Sequence, residues 1–191
     1  DAVHKSFNPA QIKDINGTLN FIDSDGNKLP VKGNNIKMIF PSMGRLSVEL
    51  TAAAFKGLGF NAEAVPPSDF PQLMKGRENT SCKECLPLIL TTASMLDYIE
   101  KNRFGDEPVC YFMPTASGNC RFSQYYVFLQ NLIVKKQIRN VALLTLSAET
   151  NYAGLGVKAQ LRVLQALITA DLLDDIKNAI NVLAKDRSKA F

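Results

Sequence analysis

From residue 36 onward, short runs of apolar residues alternate with longer segments in which apolar residues recur every three or four positions. Short, continuously apolar runs are typical of strands buried on both faces, and the longer period is typical of amphipathic helices. This alternation indicates a Rossmann-like α/β fold, an open and mostly parallel sheet with helices on both faces. The predicted strands cover residues 36–40, 61–65, 109–113 and 141–146. The predicted helices cover residues 46–58, 86–100, 122–136 and 157–183.

The first 35 residues follow a different pattern, since they are polar and rich in turn-forming residues. One alternating stretch, 17–22, and the segment 28–31 flank Asp25-Gly26, a dipeptide typical of hairpin turns. We therefore expect an N-terminal extension with a β-hairpin over residues 1–35 and the α/β domain over residues 36–191. Because the chain begins at Asp1 without an initiator methionine, we also expect it to be part of a longer polypeptide.

Composition excludes several classes of protein. The chain has 191 residues, of which 46% are hydrophobic and 21% charged, and these values exclude a disordered, collagenous or coiled-coil protein. The formal net charge of +4 is evenly spread, so neither nucleic acid nor a membrane is expected as a partner. Four cysteines are few for a secreted disulfide scaffold, which favours the reducing cytoplasm.

Two cysteines precede the second helix of the α/β domain. They form the pair Cys82-Lys83-Glu84-Cys85, and Pro87 lies in the first turn of the helix that follows. Free amides at a helix N-terminus stabilise a thiolate, which is the form of cysteine that binds metals. Cys120 follows the third strand of the domain, and in open parallel sheets such loops meet at the carboxyl edge. We therefore expect Cys82, Cys85 and Cys120 to lie at one edge of the sheet.

Polar residues near these cysteines are candidates for contacts with a bound cofactor. A hydroxyl at Ser81 can donate a hydrogen bond to sulfur, as can the tyrosines that follow Cys120, Tyr125 and Tyr126. The turn at Ser117-Gly118, beside Arg121, has the backbone donors expected of an anion or cluster site. Residues 75–81 have the charged composition of a solvated loop.

The spacing of the cysteines leaves several kinds of site open. Three thiolates suit a [4Fe–4S] cluster with one open iron position, whereas a redox dithiol needs only Cys82 and Cys85. Zinc needs four ligands in a structural site, and His4 is the sole histidine, so the fourth ligand would be Cys110 or a residue of a partner. The remaining alternative is that the cysteines bind no metal or cluster and are structural or incidental. Cys110 lies within an apolar strand, where a buried core residue is expected rather than a ligand.

Two longer motifs are similar to those of a known protein family. The first is Gly-Arg-Glu-Asn-Thr-Ser-Cys-Lys-Glu-Cys-Leu-Pro at residues 76–87, and the second is Phe-Met-Pro-Thr-Ala-Ser-Gly-Asn-Cys-Arg-Phe-Ser-Gln-Tyr at residues 112–125. Together they resemble the acyl-CoA dehydratase activase-related proteins of anaerobes. The resemblance runs from about Ile36 to about Leu173. These proteins are large CoA-enzyme activases in which ATP-dependent modules are fused to segments similar to 2-hydroxyacyl-CoA dehydratase subunits.

This resemblance implies a dehydratase-like domain whose cysteines hold a [4Fe–4S] cluster. Cys85 and Cys120 are the implied ligands, and Cys82 is the third; in its place, Cys110 or a residue of another module would complete the set. The implied role is electron transfer, in which the domain takes up or relays an electron delivered by ATP-dependent activase modules of the same or a partner polypeptide. An acyl-CoA substrate is a further implied partner. No Gly-Lys-Ser/Thr sequence of a stand-alone ATPase is present.

Two other classes of function compete with this interpretation. One is a non-catalytic scaffold or interaction module that keeps the fold without a working cluster. The other is a zinc-stabilised domain, which predicts colourless protein with one metal per chain and folding that depends on that metal.

Overall fold

The computed structural model describes residues 7–15, 17–81, 83–115, 118–145 and 155–185. Its strands are β1 (Gln11–Ile15), β2 (Thr18–Ile22), β3 (Lys28–Pro30), β4 (Gly33–Phe40), β5 (Phe60–Ala64), β6 (Val109–Phe112) and β7 (Val141–Leu144). Its helices are α1 (Arg45–Gly57), α2 (Phe70–Asn79), α3 (Leu86–Lys101), α4 (Tyr125–Lys135) and α5 (Gly156–Leu183), with a 3₁₀ helix (Arg121–Gln124) before α4. Within the described ranges, no helix has the length and apolar character needed to cross a membrane.

The four strands of the α/β part form a parallel sheet in the order β5-β4-β6-β7. Helices cover both faces of this sheet, as the sequence predicts. Met38 and Phe40 of β4 join a core with α1 and α5, whereas Ile39 between them joins a second core with α3 and α4. Successive residues of a strand point to opposite faces, so a continuously apolar strand supplies both cores at once.

The strand order determines where a site can form. Strand β4 pairs with β5 on one side and with β6 on the other, so the connections after β4 and β6 leave the sheet in opposite directions. Such a switch point opens a crevice at the carboxyl edge, where ligands bind in open α/β sheets. The connection after β6 contains Cys120, and α3 begins at Cys85 at this same edge.

The N-terminal extension is a three-stranded antiparallel sheet in the order β1-β2-β3. The predicted hairpin is confirmed as β2 and β3, with Gly26 at φ 91° in the turn, whereas β1 was not predicted. Phe21 of β2 is fully buried in the core that also contains Met38 and Phe40. The extension also contacts the amino end of β7, because both carboxylate oxygens of Asp25 accept hydrogen bonds of 2.8 Å from Arg139.

The interpretation of residues 75–81 as a solvated loop was wrong, because α2 extends to Asn79. This helix begins with a capping box, in which the Asp69 carboxylate accepts from the Gln72 amide and the Gln72 side chain accepts from the Asp69 amide. Gly76 is buried against α3, and a Cβ at this position would clash with the carbonyl group of Ile89. Helix α2 can therefore pack closely on α3 because Gly76 has no side chain.

Asp97 of α3 is the centre of a polar network between α2 and α3. Its carboxylate accepts hydrogen bonds from Gln72 Nε2 (2.9 Å) and Lys75 Nζ (3.3 Å), and it pairs with Lys101 Nζ at 2.8 Å. Burial acts to raise the pKa of Asp97, but the hydrogen bonds from Lys101, Gln72 and Lys75 outweigh burial and hold the pKa below its usual 3.8.

This network makes the stability of the chain sensitive to acid. Because the pKa of Asp97 is lower in the folded state, its contribution is present above the unfolded pKa, near 3.9, and is lost as pH falls through the folded pKa. We expect Asp97→Asn to lower the free energy of unfolding at pH 7 by about 1 kcal/mol. Urea unfolding at pH 7 and pH 3 measures both values. The wild type should lose more stability between these pH values than the variant does, and equal losses would contradict the prediction.

A matched control is Glu100→Gln, which removes the more exposed carboxylate that pairs with Lys75. Its effect at pH 7 should be smaller than that of Asp97→Asn, because ion pairs in water are weak.

Candidate functional site

Cys85 is the residue at which α3 begins. Its backbone is extended (φ −71°, ψ 148°), and its carbonyl accepts from the amides of Leu88 (3.1 Å) and Ile89 (3.3 Å) in the first turn. Its side chain makes no capping hydrogen bond with the helix. Instead, Cys85 Sγ lies 2.6 Å from the hydroxyl oxygen of Tyr125, the first residue of α4, and either group can donate the hydrogen bond.

Cys120 occupies the corresponding position before the next helical segment. Its backbone is extended ahead of the 3₁₀ helix, and its carbonyl accepts from the amide and the hydroxyl of Ser123, at 3.3 and 2.9 Å. Cys85 is half-buried and Cys120 is exposed, and neither forms a disulfide. Each thiol therefore lies at the start of a helical segment, within reach of solvent.

Both cysteines raise the pKa of the Tyr125 hydroxyl. Burial raises the pKa of Tyr125 well above its usual value, and the hydrogen bond with Cys85 and the negative charge of the Cys85 and Cys120 thiolates raise it further. The phenol is 3% exposed and keeps its proton at neutral pH, so it can donate to a thiolate. Tyr125 therefore contacts Cys85 directly, and Cys120 affects it through charge alone.

The other predicted residues have the following positions. Arg121 Nη1 donates to the carbonyl of Lys83 at 3.4 Å, so it connects the segment before α3 with the 3₁₀ helix. Ser81 Oγ donates to Glu84 Oε1 at 3.1 Å. Gly118 has φ 154°, and no atom lies within 4 Å of the place where a Cβ would stand. The two remaining predicted residues, Cys82 and Ser117, lie outside the described residues.

Cys110 lies on the other face of the sheet. Its side chain is fully buried in the core shared with Met38 and Phe112, whereas Tyr125 and Cys85 belong to the core on the α3 and α4 side. Burial raises the pKa of the Cys110 thiol to about 12, so this group is uncharged at neutral pH. Cys110 is thus a core residue, as its apolar neighbours in the sequence indicate.

Two clefts are lined by residues next to the cysteines in the sequence. One cleft of about 460 Å³ runs along Tyr125, Arg121 and Leu88, and another of about 630 Å³ runs along Ser81 and Arg77; Glu84 borders both. Glu84 was not predicted as a site residue, and its place inside the Cys-x-x-Cys pair was the available signal.

The donors present at this edge suit a soft metal centre. Thiolates are ligands for iron–sulfur clusters and for zinc, and Cys85 and Cys120 supply two of them. Among the described residues, no group of three or more His, Cys, Asp or Glu side chains is arranged to hold a metal ion. A site built on Cys85 and Cys120 therefore needs a third ligand beyond the part of the chain that the structure describes, and Cys82 is the candidate from the sequence.

Comparison of the chain with protein-family models, with curated proteins and with solved structures gave no match. The resemblance to activase-related proteins stays a prediction based on the two motifs.

Proposed function

We propose that this chain is a [4Fe–4S] electron-transfer domain of a system similar to 2-hydroxyacyl-CoA dehydratase. In this proposal it takes up or relays an electron that ATP-dependent activase modules deliver. The observation that carries the proposal is the position of the Cys85 and Cys120 thiols, which lie at the starts of two helical segments at the carboxyl edge, with Cys85 Sγ 2.6 Å from the Tyr125 hydroxyl.

Three properties of this edge support a redox centre. Its thiols are soft donors from two separate connections and are not joined in a disulfide. One of them, Cys85, is partly shielded from water and packs against the core, and burial is one of the factors that set the potential of a cluster. The cleft of about 460 Å³ along Glu84, Arg121 and Tyr125 also leaves room for a bound group beside these two connections.

The surrounding residues have defined roles in this proposal. Cys85 and Cys120 hold the cluster, with Cys82 as the third ligand. When bound, the cluster supplies one-electron chemistry. Tyr125 donates a hydrogen bond to Cys85 Sγ. Arg121 connects the two loops through the carbonyl of Lys83 and adds a positive charge nearby.

We expect Tyr125→Phe to keep the iron of the wild type and to lower the reduction potential. A hydrogen bond to a ligand sulfur stabilises the more negative, reduced state, and a difference of about 1 kcal/mol between the two states corresponds to about 40 mV for one electron. A redox titration followed by visible absorption measures the shift. Tyr126→Phe is the control, because Tyr126 borders a different cleft, near Pro9 and Gln130, and its variant should keep the wild-type potential.

The proposal is tested by iron and acid-labile sulfide analysis, with a visible spectrum, on protein purified and reconstituted without oxygen. We expect brown protein with about four irons and four sulfides per chain, the content of a [4Fe–4S] cluster. Colourless protein without iron after reconstitution would overturn the proposal and favour the interaction module. One tightly bound zinc per chain, with folding that depends on it, would favour the zinc-stabilised domain.

A further inference from the structure

Helix α5 has a long apolar surface that faces solvent. Its inner side packs on the rest of the molecule through Ala159 and Ala170, its two buried residues, and through the partly buried Val163. The opposite side has large aliphatic residues three or four positions apart, 39–80% exposed: Val157, Leu161, Leu164, Ile168, Leu172, Ile176, Ile180 and Leu183. Residues at this spacing form one continuous stripe on a helix, here called the α5 stripe.

The second half of α5 has few contacts with the described protein. Between Asp171 and Leu183, all residues are exposed except Asp174 and Asn181, which are partly buried. A helical segment of about 13 residues is only marginally stable in water, and most helices in proteins depend on packing of an apolar face. The α5 stripe therefore has the properties of a surface that is covered when the protein functions.

We propose that the α5 stripe binds the same stripe of a second copy of this chain, with the two helices antiparallel. A twofold dimer requires a patch that is complementary to itself. With the twofold axis near Ala166, the apolar residues of one α5 helix lie opposite apolar residues of the other. Val157 comes to the level of Ile176, Leu161 to the level of Leu172, and Leu164 to the level of Ile168.

The charges of α5 favour the antiparallel direction. Basic Lys158 and Arg162 lie near its amino end, and acidic Asp171 and Asp175 lie in its second half. In the antiparallel register, Lys158 of one copy is level with Asp175 of the other, and Arg162 is level with Asp171. A parallel pair would bring like charges to the same level, which is unfavourable.

The size of the stripe matches the requirement of a stable dimer. In this register six aliphatic side chains of each copy, from Val157 to Ile176, lie within the overlap and present on the order of 600 Å² per copy, which is the lower end of the range for specific interfaces. Apolar patches on monomeric proteins are usually smaller, a few hundred Å².

Sedimentation equilibrium of the 191-residue chain between about 5 and 200 µM tests the proposal. We expect a species of twice the 21.0 kDa monomer mass. The double variant Leu161→Glu with Leu172→Glu should weaken association at least about 100-fold, because it places four carboxylates in the apolar contact. A protein that is monomeric at 200 µM would overturn the proposal, as would a dimer that this variant does not weaken.

Two controls separate this interface from other effects. Phe104→Glu changes an apolar residue that is 92% exposed outside α5, and it should leave the dimer unchanged. Far-UV circular dichroism shows whether each variant keeps its helices.

Charge reversal tests the direction of the pair without changing the α5 stripe. The double variant Lys158→Glu with Arg162→Glu should weaken self-association about tenfold, and Asp171→Lys with Asp175→Lys should do the same. An equimolar mixture of these two proteins should form a heterodimer at least as tight as the wild-type dimer. A parallel pair has like charges at each level both before and after the reversal, so variants that self-associate as tightly as the wild type would overturn the antiparallel arrangement.

Discussion

Replacement of Cys85 or of Cys120 by alanine is expected to remove essentially all cluster iron from anaerobically reconstituted protein. A [4Fe–4S] cluster is held by cysteine thiolates, and a site with three of them has no spare ligand to replace one that is lost. Cys120 is exposed, whereas Cys85 is half-buried against the core and contacts Tyr125, so far-UV circular dichroism has to show that each variant is folded. Iron content per folded chain is the measurement.

Cys110→Ala is the matched control for these variants. It removes a thiol of the same chain, but from the core on the opposite face of the sheet from Tyr125. We expect this variant to bind iron as the wild type does and to lose about 1 kcal/mol of stability, because a small cavity forms in the core. Wild-type iron content in both Cys85→Ala and Cys120→Ala would refute these ligands.

Gly76→Ala is expected to lower the free energy of unfolding by about 2 kcal/mol, and the melting temperature by about 6 °C. A methyl group at this position meets both the backbone and the side chain of Ile89, so α2 has to move away from α3. Alanine is the better helix former by up to about 1 kcal/mol, which offsets only part of this overpacking. Urea unfolding with a common m-value measures the difference.

Gly57→Ala is the control for the Gly76 variant. Gly57 is the last residue of α1, and the space around its missing Cβ is open to 4 Å. The same substitution should here leave stability unchanged or raise it by a few tenths of a kcal/mol. If Gly76→Ala is as stable as Gly57→Ala, the close contact between α2 and α3 is not a constraint on the fold.

The parallel sheet was predictable because its strands are short and almost continuously apolar. Val109–Phe112 and Val141–Leu144 supply cores on both faces, and no helical period fits such short runs. Helix α2 was not predicted, because half of its residues are polar and its one buried residue is Gly76. A glycine has no side chain that could contribute to a hydrophobic pattern. Its capping box, Asp69 with Gln72, was the available signal.

Strand β1 was missed for a different reason. Its residues, Gln11–Ile15, are only partly buried or exposed, and its hydrogen bonds are made to β2. A short polar sequence of this kind becomes a strand through its partner rather than through its own pattern.

The location of the candidate site was predictable from the topology, but its side-chain contacts were not. Strand and loop order put the connections that hold Cys85 and Cys120 at the carboxyl edge. The hydrogen bond between Cys85 and Tyr125 depends on how α3 and α4 pack side by side, and the sequence named Tyr125 and Tyr126 without distinguishing them. Alternation along β6 does place Cys110 and Phe112 on one face and Tyr111 on the other, and the two cores follow this division.

The contact between Asp25 and Arg139 joins residues 114 positions apart, and neighbouring Ser24 and Asn140 exchange two further hydrogen bonds. A contact of such long range closes a very large loop, so it forms late in folding, after the local strand and helix units of the α/β part. In hydrogen exchange we therefore expect the amides of the N-terminal sheet to open before those of β4 and β6. The last structure to assemble would be the first to be released, starting where Asp25 and Ser24 contact the residues before β7.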